Sequence, residues 1–284
     1  MSTVFAGEKG SFAELAAREY FGKSGRLRNV ASFDDVFREV RDGTSRYGIV
    51  PIENTRAGSV HRNYDLLLES GCCIVGELYL KIGQYLIVNK ETTLRRVRRV
   101  YSHPQALSQC RHFLERHPAM TQCETINTAG AVKKVKEEKL LDAAAIASMQ
   151  AAIDFDMKIL AENIQDDKNN MTRFLVLSRG PCTRKMRLDV PVKTSIVFSM
   201  KNMPGALFKS LAVFSLREID LYKIESRPTF GQGFQYLFYL DFEGDVLAEK
   251  QKNALQHLQE MTTFYRCLGS YPVGRTVAPA YLKR

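Results

Sequence analysis

The sequence reads GIVPIENTRAGSV from Gly48 to Val60, and this stretch decides the fold. An apolar run enters a loop that holds a carboxylate, an amide and hydroxyls, and residues 60–68 then become amphipathic. That order predicts a buried strand, a polar loop and a helix, and α/β sheets bind ligands beyond the carboxyl ends of their strands. The same loop is also compatible with a plain strand–helix turn in which Asn54 or Ser59 caps backbone groups.

Short strand and helix patterns continue on both sides of this stretch. Upstream, Ser11 is a candidate helix N-cap because Glu14 follows at the spacing of a capping box. Downstream, residues 72–88 show strand patterns broken by Gly76 and Gly83. The alternation of short strands and helices predicts an α/β sheet.

Two helical segments are expected further along the first half of the chain. One begins at Pro104, which suits the first turn of a helix, and runs through Arg116. The other lies within the small-residue stretch 143–152, which we expect to be helical or tightly packed.

The pattern changes near residue 180. Residues 181–192 are rich in Pro and basic residues and are predicted to form a linker. Beyond it, the order strand, helix, strand, strand, helix, strand predicts a ferredoxin-like βαββαβ domain at residues 193–275, with a tail at residues 276–284. Residues 1–180 are expected to form the larger α/β domain.

Composition narrows the classes of function. Lys and Arg outnumber Asp and Glu by 41 to 31, a net charge of +10, so nucleic-acid binding has to be considered. The densest basic run, residues 95–99, has no interleaved aromatics, and a basic surface also attracts an anionic substrate. We expect no nucleic-acid partner. We also expect no membrane partner, because no apolar run approaches the ~20 residues that a spanning helix needs.

Cysteine spacing and termini bear on compartment and cofactors. The six cysteines include no C-x-x-C pair, so we expect reduced thiols, and neither a zinc spacing nor a dinucleotide motif is present. The glycine pair at residues 231–233 is expected to form a hairpin turn. The first residues lack the basic and apolar regions of a secretory signal. These patterns favour a cytoplasmic location, or the plastid stroma if a transit peptide has been removed, and no cofactor or metal.

Two further segments carry polar side chains at helix and strand starts. SHPQALSQC at residues 102–110 places Gln105 and Gln109 four apart, on one face of a helix. NMTRF at residues 170–174 enters an apolar strand. Taken singly, these are two surface glutamines and an ordinary strand start.

Together, the three segments resemble the prephenate dehydratases and the related arogenate dehydratases in order, spacing and identity. The patterns P-I-E-N-[ST]-x-x-G-S, S-H-P-Q-A-L-x-Q-C and N-x-T-R-F are all present, and the family's opening G-x-x-G-[ST]-[FY] matches residues 7–12. Residues 205–208 and 225–228 are similar to the family's ACT domain. The resemblance extends from about Thr3 to Pro272, and several segments look closest to the plant-type branch.

The resemblance implies two α/β lobes, like those of a periplasmic binding protein, the second at about residues 82–160, with the site in the cleft between them and an ACT domain C-terminal to them. The strand that contains Thr172 would return to the first lobe. Arg173 could pair with a nearby carboxylate of the protein instead of contacting the substrate. Gln84, at a position where many relatives have His, would supply a neutral hydrogen bond. The residues carried over are Asn54, Gln109 and Thr172 for catalysis and Glu53, Thr55, Ser59, Arg173, Phe174 and Ser11 for substrate contacts.

The implied reaction is the loss of carbon dioxide and water from prephenate or arogenate, which gives phenylpyruvate or phenylalanine without a cofactor. Phenylalanine is the implied effector, bound between subunits of a homodimer or homotetramer that associates through ACT domains. The plant-type segments favour arogenate. A non-catalytic amino-acid sensor that retains the fold is the rival interpretation. The implied effector-binding residues are Gly205, Ala206, Leu207, Phe208, Glu225, Ser226, Arg227 and Pro228.

Overall fold

The computed structural model describes residues 2–22, 25–183, 189–228 and 236–278, so the turn expected at residues 231–233 and much of the expected linker and tail lie outside the described residues. The chain divides into two compact units. The first contains Met1–Glu69, Leu78–Leu175 and Arg275–Arg284, and the second contains Ser70–Glu77 and Val176–Gly274. The chain therefore leaves the first unit twice and returns to it twice.

The helices and strands follow the chain in three groups. The first lobe begins with β1 (Ser2–Ala6), α1 (Phe12–Phe21), β2 (Arg26–Val30), α2 (Phe33–Asp42), β3 (Tyr47–Asn54), β4 (Gly58–Ser59), α3 (His61–Ser70) and β5 (Cys73–Lys81). The second lobe has β6 (Tyr85–Val88), β7 (Arg99–Ser102), α4 (Pro104–Gln109), α5 (Arg111–Glu115), β8 (Thr121–Glu124), α6 (Thr128–Glu137), β9 (Ala143–Ala147), α7 (Met149–Asp154) and β10 (Lys158–Ala161). The rest comprises β11 (Met171–Ser178), β12 (Val192–Met200), α8 (Ala206–Ser215), β13 (Leu221–Pro228), β14 (Tyr236–Glu243), α9 (Glu249–Met261), β15 (Thr262–Pro272) and β16 (Thr276–Val277).

The strands form three sheets, and β11 and β16 belong to the sheet of the first lobe. The first is ordered β16-β5-β11-β3-β1-β2, with β4 paired to β3, and the second is ordered β10-β6-β9-β7-β8. β11, which carries Thr172, thus returns to the first sheet, as expected. The third sheet, ordered β13-β14-β12-β15, is antiparallel throughout and carries α8 and α9, which is the expected βαββαβ arrangement.

Local capping explains where several helices begin. Ser11 caps α1, as predicted, by accepting from the Glu14 N–H at 3.3 Å, while the Glu14 carboxylate accepts from Gly10 instead of closing the box. α2 begins with a full capping box between Ser32 and Asp35. β2 and α2 have no counterpart among the predicted elements.

Two boundary predictions in the first half are wrong. β5 continues straight through Gly76, because a glycine weakens a strand without ending it when both neighbours are paired. The single helix expected from Pro104 to Arg116 is two short helices, because Cys110 leaves helical geometry at φ −113° and ψ 26°.

The stretch 143–152 contains a strand, β9, followed by α7. All five residues of β9 are buried, and a short run of buried small residues shows no period by which a strand could be distinguished from a helix.

The expectation of six reduced cysteines is wrong for two of them. Cys73 and Cys182 form a disulfide with Cα atoms 4.9 Å apart, across a sequence separation of 109. A pairing this distant cannot be predicted from local cysteine spacing. Within the described residues, no helix has the length and apolarity needed to cross a membrane.

Candidate active site

The candidate active site is a cavity of about 410 Å³ between the two lobes of the first unit. β3 contributes Asn54, β11 contributes Thr172 and Phe174, and the segment after β5 contributes Ile82 and Gln84. The starts of three helices, α1, α4 and α6, complete much of the wall with Ser11, Phe12, Ala13, His103, Gln105, Ala106, Asn127 and Thr128.

The side-chain amide of Asn54 lies at the centre of a buried hydrogen-bond network. Its Nδ2 donates to the Thr172 hydroxyl at 2.9 Å and to the Asn170 Oδ1 at 2.8 Å. Its Oδ1 accepts from the backbone N–H groups of Arg56 and Ala57, each at 3.0 Å. The turn after β3 therefore fixes which end of this amide faces β11.

Gln109 joins the same network from the second lobe. Its Oε1 accepts from Asn170 Nδ2 at 2.9 Å, and its Nε2 lies 3.5 Å from Asn54 Oδ1. Asn54, Gln109 and Thr172, the three predicted catalytic residues, are thus brought together, with Asn170 between two of them. Asn170 is absent from the predicted site residues, although it opens the NMTRF segment two residues before Thr172.

The Thr172 hydroxyl is arranged as a donor towards the cavity. The residue is buried and lines the cavity wall, and its oxygen accepts from Asn54. A hydroxyl that accepts one hydrogen bond still has its own hydrogen to give. The geometry therefore suits a donor aimed at a bound ligand.

The remaining predicted substrate contacts divide between the cavity and its surroundings. Ser11 and Phe174 line the cavity. Thr55 instead clamps the start of β11: its N–H donates to the Met171 carbonyl at 2.9 Å and its Oγ1 accepts from the Met171 N–H at 3.0 Å.

Like Thr55, three further predicted contacts lie outside the lining that the described residues form. Glu53 and Ser59 are register partners across β3 and β4. Arg173 is buried, and it follows Thr172 directly on β11. Because successive side chains of a strand point to opposite faces, Arg173 faces away from the side on which Thr172 meets the cavity.

His103 is both a helix cap, as expected, and a cavity residue. Its Nδ1 accepts from the Gln105 N–H at 3.2 Å, which leaves the ring proton on Nε2. Burial lowers the pKa of His103, against a smaller opposing effect of Glu124. Nearby, burial raises the pKa of the Cys110 thiol, so this cysteine is unsuited to act as a thiolate nucleophile. No cluster of metal-binding side chains occurs in the described part of the chain.

Gln84 is held by its backbone and carries an unsatisfied side-chain atom. Its N–H donates to Gln165 Oε1 at 2.9 Å and its carbonyl accepts from the Ile164 N–H at 2.9 Å. The side chain is 2% exposed and lines the cavity, yet its Oε1 has no partner among the described groups. An unsatisfied buried polar atom is unusual in native proteins, and a bound ligand is one way in which it can be satisfied.

The cavity has a largely apolar wall that carries several neutral polar side chains. Every lining residue in the described part of the chain is formally neutral, including His103 at its lowered pKa. Positive potential comes from backbone: the first-turn N–H groups of α1 and α6 have no acceptor within their own helices, and both helices begin in the cavity wall.

A second cavity, of about 250 Å³, lies in the βαββαβ domain at the start of α8. Gly205 caps this helix at φ +77°, a left-handed conformation that glycine tolerates. Gly205, Ala206, Leu207 and Phe208, predicted to bind the effector, all line this cavity. The other predicted effector residues, Glu225, Ser226, Arg227 and Pro228, lie on β13, paired to β14, and outside this lining.

Comparison with known proteins agrees with this architecture. The family model described as prephenate dehydratase matches residues 3–182. An Arabidopsis thaliana protein described as arogenate dehydratase/prephenate dehydratase 2, chloroplastic, is 43% identical over 96% of this chain and 73% of its own length.

Solved structures extend the likeness to nearly the whole chain. The prephenate dehydratase from Arthrobacter aurescens in complex with L-Phe has a TM-score of 0.88 and 28% identity, covering 96% of this chain and 90% of that chain. A structure described as a novel type of quorum-quenching acylase has the same TM-score, 29% identity, and covers 96% and 98% of the two chains. The family model matches most of the chain, and the Arabidopsis relative is 43% identical to it. The chain therefore belongs to the prephenate dehydratase family.

Proposed function

We propose that the cavity between the two lobes catalyses the decarboxylating dehydration of prephenate or arogenate. The substrate ring loses its carboxylate as carbon dioxide and its hydroxyl, with one added proton, as water. The product, phenylpyruvate or phenylalanine, contains an aromatic ring, and its formation drives the reaction. The protein has to orient the diene and assist the departing hydroxyl.

The observation that carries this proposal is the network joining Asn54, Gln109 and Thr172. It fixes three neutral polar groups at the cavity and leaves the Thr172 hydrogen available for the departing oxygen. A threonine hydroxyl is a weak acid, so the gain comes from preorganised hydrogen bonding more than from full proton transfer. Asn54 and Gln109 are assigned the task of holding ring substituents.

The two carboxylates of the substrate need positive potential in a cavity without cations. The N-termini of α1 and α6 open onto the cavity from the two lobes, and each is a favourable place for an anion. We assign one carboxylate to each. Gln84, whose unsatisfied side chain shares the same wall, supports the view that the cavity is built for a polar ligand.

The neutral lining favours arogenate over prephenate. Prephenate brings two negative charges and a keto group, whereas arogenate offsets one charge with an ammonium. Burial of a net charge is expensive where no side chain neutralises it. The higher kcat/KM is therefore assigned to arogenate.

The βαββαβ domain is assigned the role of a phenylalanine sensor. The cavity at Gly205 opens at the start of α8, where backbone N–H groups suit a carboxylate, and L-Phe is present in the Arthrobacter aurescens complex. Large apolar side chains on this domain are exposed, Phe208 at 77% and Leu216 at 80%, and a homodimer or homotetramer would cover them.

We further propose residues 1–180 as the catalytic part, residues 181–192 as a linker and residues 193–275 as the regulatory part. A cytoplasmic or plastid-stromal location is assigned on the same basis. The similar Arabidopsis protein is described as chloroplastic.

The test is direct. Purified protein is incubated with prephenate or arogenate, and phenylpyruvate or phenylalanine is followed by ultraviolet absorbance and chromatography. The expected result is product from both, with the larger kcat/KM for arogenate. A larger kcat/KM for prephenate would contradict only the charge argument and would leave the dehydratase assignment intact. Absence of product from both, with L-Phe still raising the unfolding temperature, would favour the non-catalytic sensor.

A further inference from the structure

Asn170 lies immediately before β11 and outside the cavity lining. It is 1% exposed, and both of its backbone groups are bonded: its carbonyl accepts from the Ile82 N–H at 2.9 Å and its N–H donates to the Asp167 carbonyl at 3.3 Å. Its position is therefore fixed by the main chain, before any side-chain contact is considered.

The side chain of Asn170 bonds two residues of the site with opposite ends of its amide. Its Oδ1 accepts from Asn54 Nδ2 at 2.8 Å, and its Nδ2 donates to Gln109 Oε1 at 2.9 Å. The Thr55 hydroxyl adds a longer contact to Oδ1, at 3.4 Å. An amide oxygen only accepts and an amide nitrogen only donates, so the two ends cannot be exchanged without two repulsive contacts.

This polarity begins at the turn after β3, whose backbone N–H groups fix the amide of Asn54, and Asn170 passes it on to Gln109. The Nδ2 of Asn54 faces β11 and donates to both the Asn170 Oδ1 and the Thr172 oxygen, and the hydrogen of Thr172 is left for the cavity. With Nδ2 of Asn170 as donor, the Oε1 of Gln109 is held, and its Nε2 is turned towards Asn54.

We propose that Asn170 is a positioning residue for the dehydratase reaction, which holds the amide of Asn54 in place and sets the donor and acceptor directions of Gln109 to match it, without touching the substrate. The inference rests on the proposed function. It adds to that function one buried amide, which restricts the side chains around it to one hydrogen-bonding pattern out of several that they could form.

The test uses Asn170→Asp, with Asn169→Asp as the matched control. Asn169 is the exposed neighbour, so the control adds the same charge one residue away from the network. At neutral pH the introduced carboxylate still accepts a hydrogen bond from Asn54 Nδ2. Its second oxygen, however, faces Gln109 Oε1, and the two oxygens repel each other. We expect kcat to fall about 100-fold, the usual order for a misplaced catalytic group, with KM changed less than threefold.

Acid pH supplies the distinguishing measurement. A protonated carboxyl group accepts with one oxygen and donates with the other, as the original amide does, and its burial raises its pKa. The ratio of kcat between Asn170→Asp and wild type should therefore climb as pH falls from 7 to 5. The same ratio for Asn169→Asp should stay near one throughout.

Asn170→Ser covers the case in which the charged variant does not fold. Its hydroxyl cannot reach both partners, so kcat should fall similarly, with no recovery in acid. A kcat within twofold of wild type for either folded variant overturns the inference, as does a loss in Asn170→Asp that is independent of pH. Wild-type protein without turnover would instead sink the proposed function, and the two failures are thus separated.

Discussion

Thr172 owes its place in the proposed chemistry to a single accepted hydrogen bond. Its oxygen accepts from Asn54 Nδ2 at 2.9 Å, and its own hydrogen stays available to act in the cavity. On a solvent-exposed strand, the same hydroxyl would both donate hydrogen bonds to water and accept them from water. The surroundings, and not the intrinsic acidity of the hydroxyl, give this side chain a direction.

Replacement of Thr172 by Val keeps the shape and removes the hydroxyl. We expect kcat for arogenate to fall about 100- to 1000-fold, the range found when one preorganised donor is removed from an active site. Thr172→Ser keeps the donor and should retain at least a tenth of wild-type kcat. Steady-state kinetics on both variants, with unfolding temperatures as a control for folding, decide the matter. Near-normal turnover in Thr172→Val would remove this residue from the mechanism.

At this scale the three predicted catalytic side chains lie together in the structure, and the predicted set leaves out their shared neighbour Asn170. Asn54, Gln109 and Thr172 were identifiable because they stand in recognisable local segments. Asn170 was missed, although it lies in one of those segments, because its role depends on partners 61 and 116 residues away along the chain. Glu53 and Ser59 share a segment with Asn54 but pair with each other, and their strand register was not evident from composition.

Among the elements, β5 is shared by the two units, because Ser70–Glu77 belongs to one and Leu78–Leu175 to the other. Within the second unit its first half is packed closely against Gly274, in the segment after β15. A Cβ placed on Gly274 would lie 2.7 Å from Glu77 Cγ and 2.8 Å from the Glu77 carbonyl oxygen. Beside it, Lys193 and Glu77 form an almost fully buried ion pair at 2.7 Å, and the Gly274 N–H donates to the same carboxylate at 3.0 Å.

Gly274→Ala should therefore strain this contact. Because one of the opposing atoms is backbone, the neighbour cannot simply rotate away, and we expect a loss of about 1–3 kcal/mol in the free energy of unfolding. Gly180→Ala is the matched control, since the nearest atom to its added Cβ is 4.0 Å away. Urea unfolding of both variants measures the difference. Equal stability would show that the segment after β15 relaxes freely.

Element types were predicted better than element boundaries. β3, the helix after it and the βαββαβ order follow from periodicity and turn residues. The break at Cys110 and the strand at β9 do not, since the first is a local change of backbone angle and the second is a buried run without a period. Gly76 shows the opposite error, because it was expected to interrupt the strand and sheet pairing instead continues β5 through it.

For the molecule as a whole, the Cys73–Cys182 disulfide is the feature with the largest expected effect on stability. It joins β5 to the segment after β11 across a sequence separation of 109, and a cross-link over so long a loop removes much freedom from the unfolded chain. Reduction by a dithiol should lower the free energy of unfolding by about 2–4 kcal/mol.

The matched control is the double variant Cys73→Ser with Cys182→Ser, whose unfolding should not respond to the reductant. Chemical denaturation with and without dithiothreitol is the measurement, with a count of free thiols to confirm the redox state. If wild type and the double variant respond alike, the effect arises from another cysteine.

The two-lobed α/β architecture and the βαββαβ domain were predictable because both follow from local alternation and from family resemblance. The disulfide and the pairing of β16 with β5 were not. Both join segments far apart in the chain, and neither leaves a periodic trace in the sequence.

The pairing of β16 with β5, through Thr276 with Tyr79 and Val277 with Leu80, makes the βαββαβ domain an insertion in the catalytic fold. Its removal by a stop codon after β11 would also strip the outer strand from the catalytic sheet. β5 would then present unpaired N–H and C=O groups, a surface that invites edge-to-edge aggregation. A soluble catalytic fragment therefore calls for excision and splicing, with a short bridge from β11 to residue 275, and not for truncation.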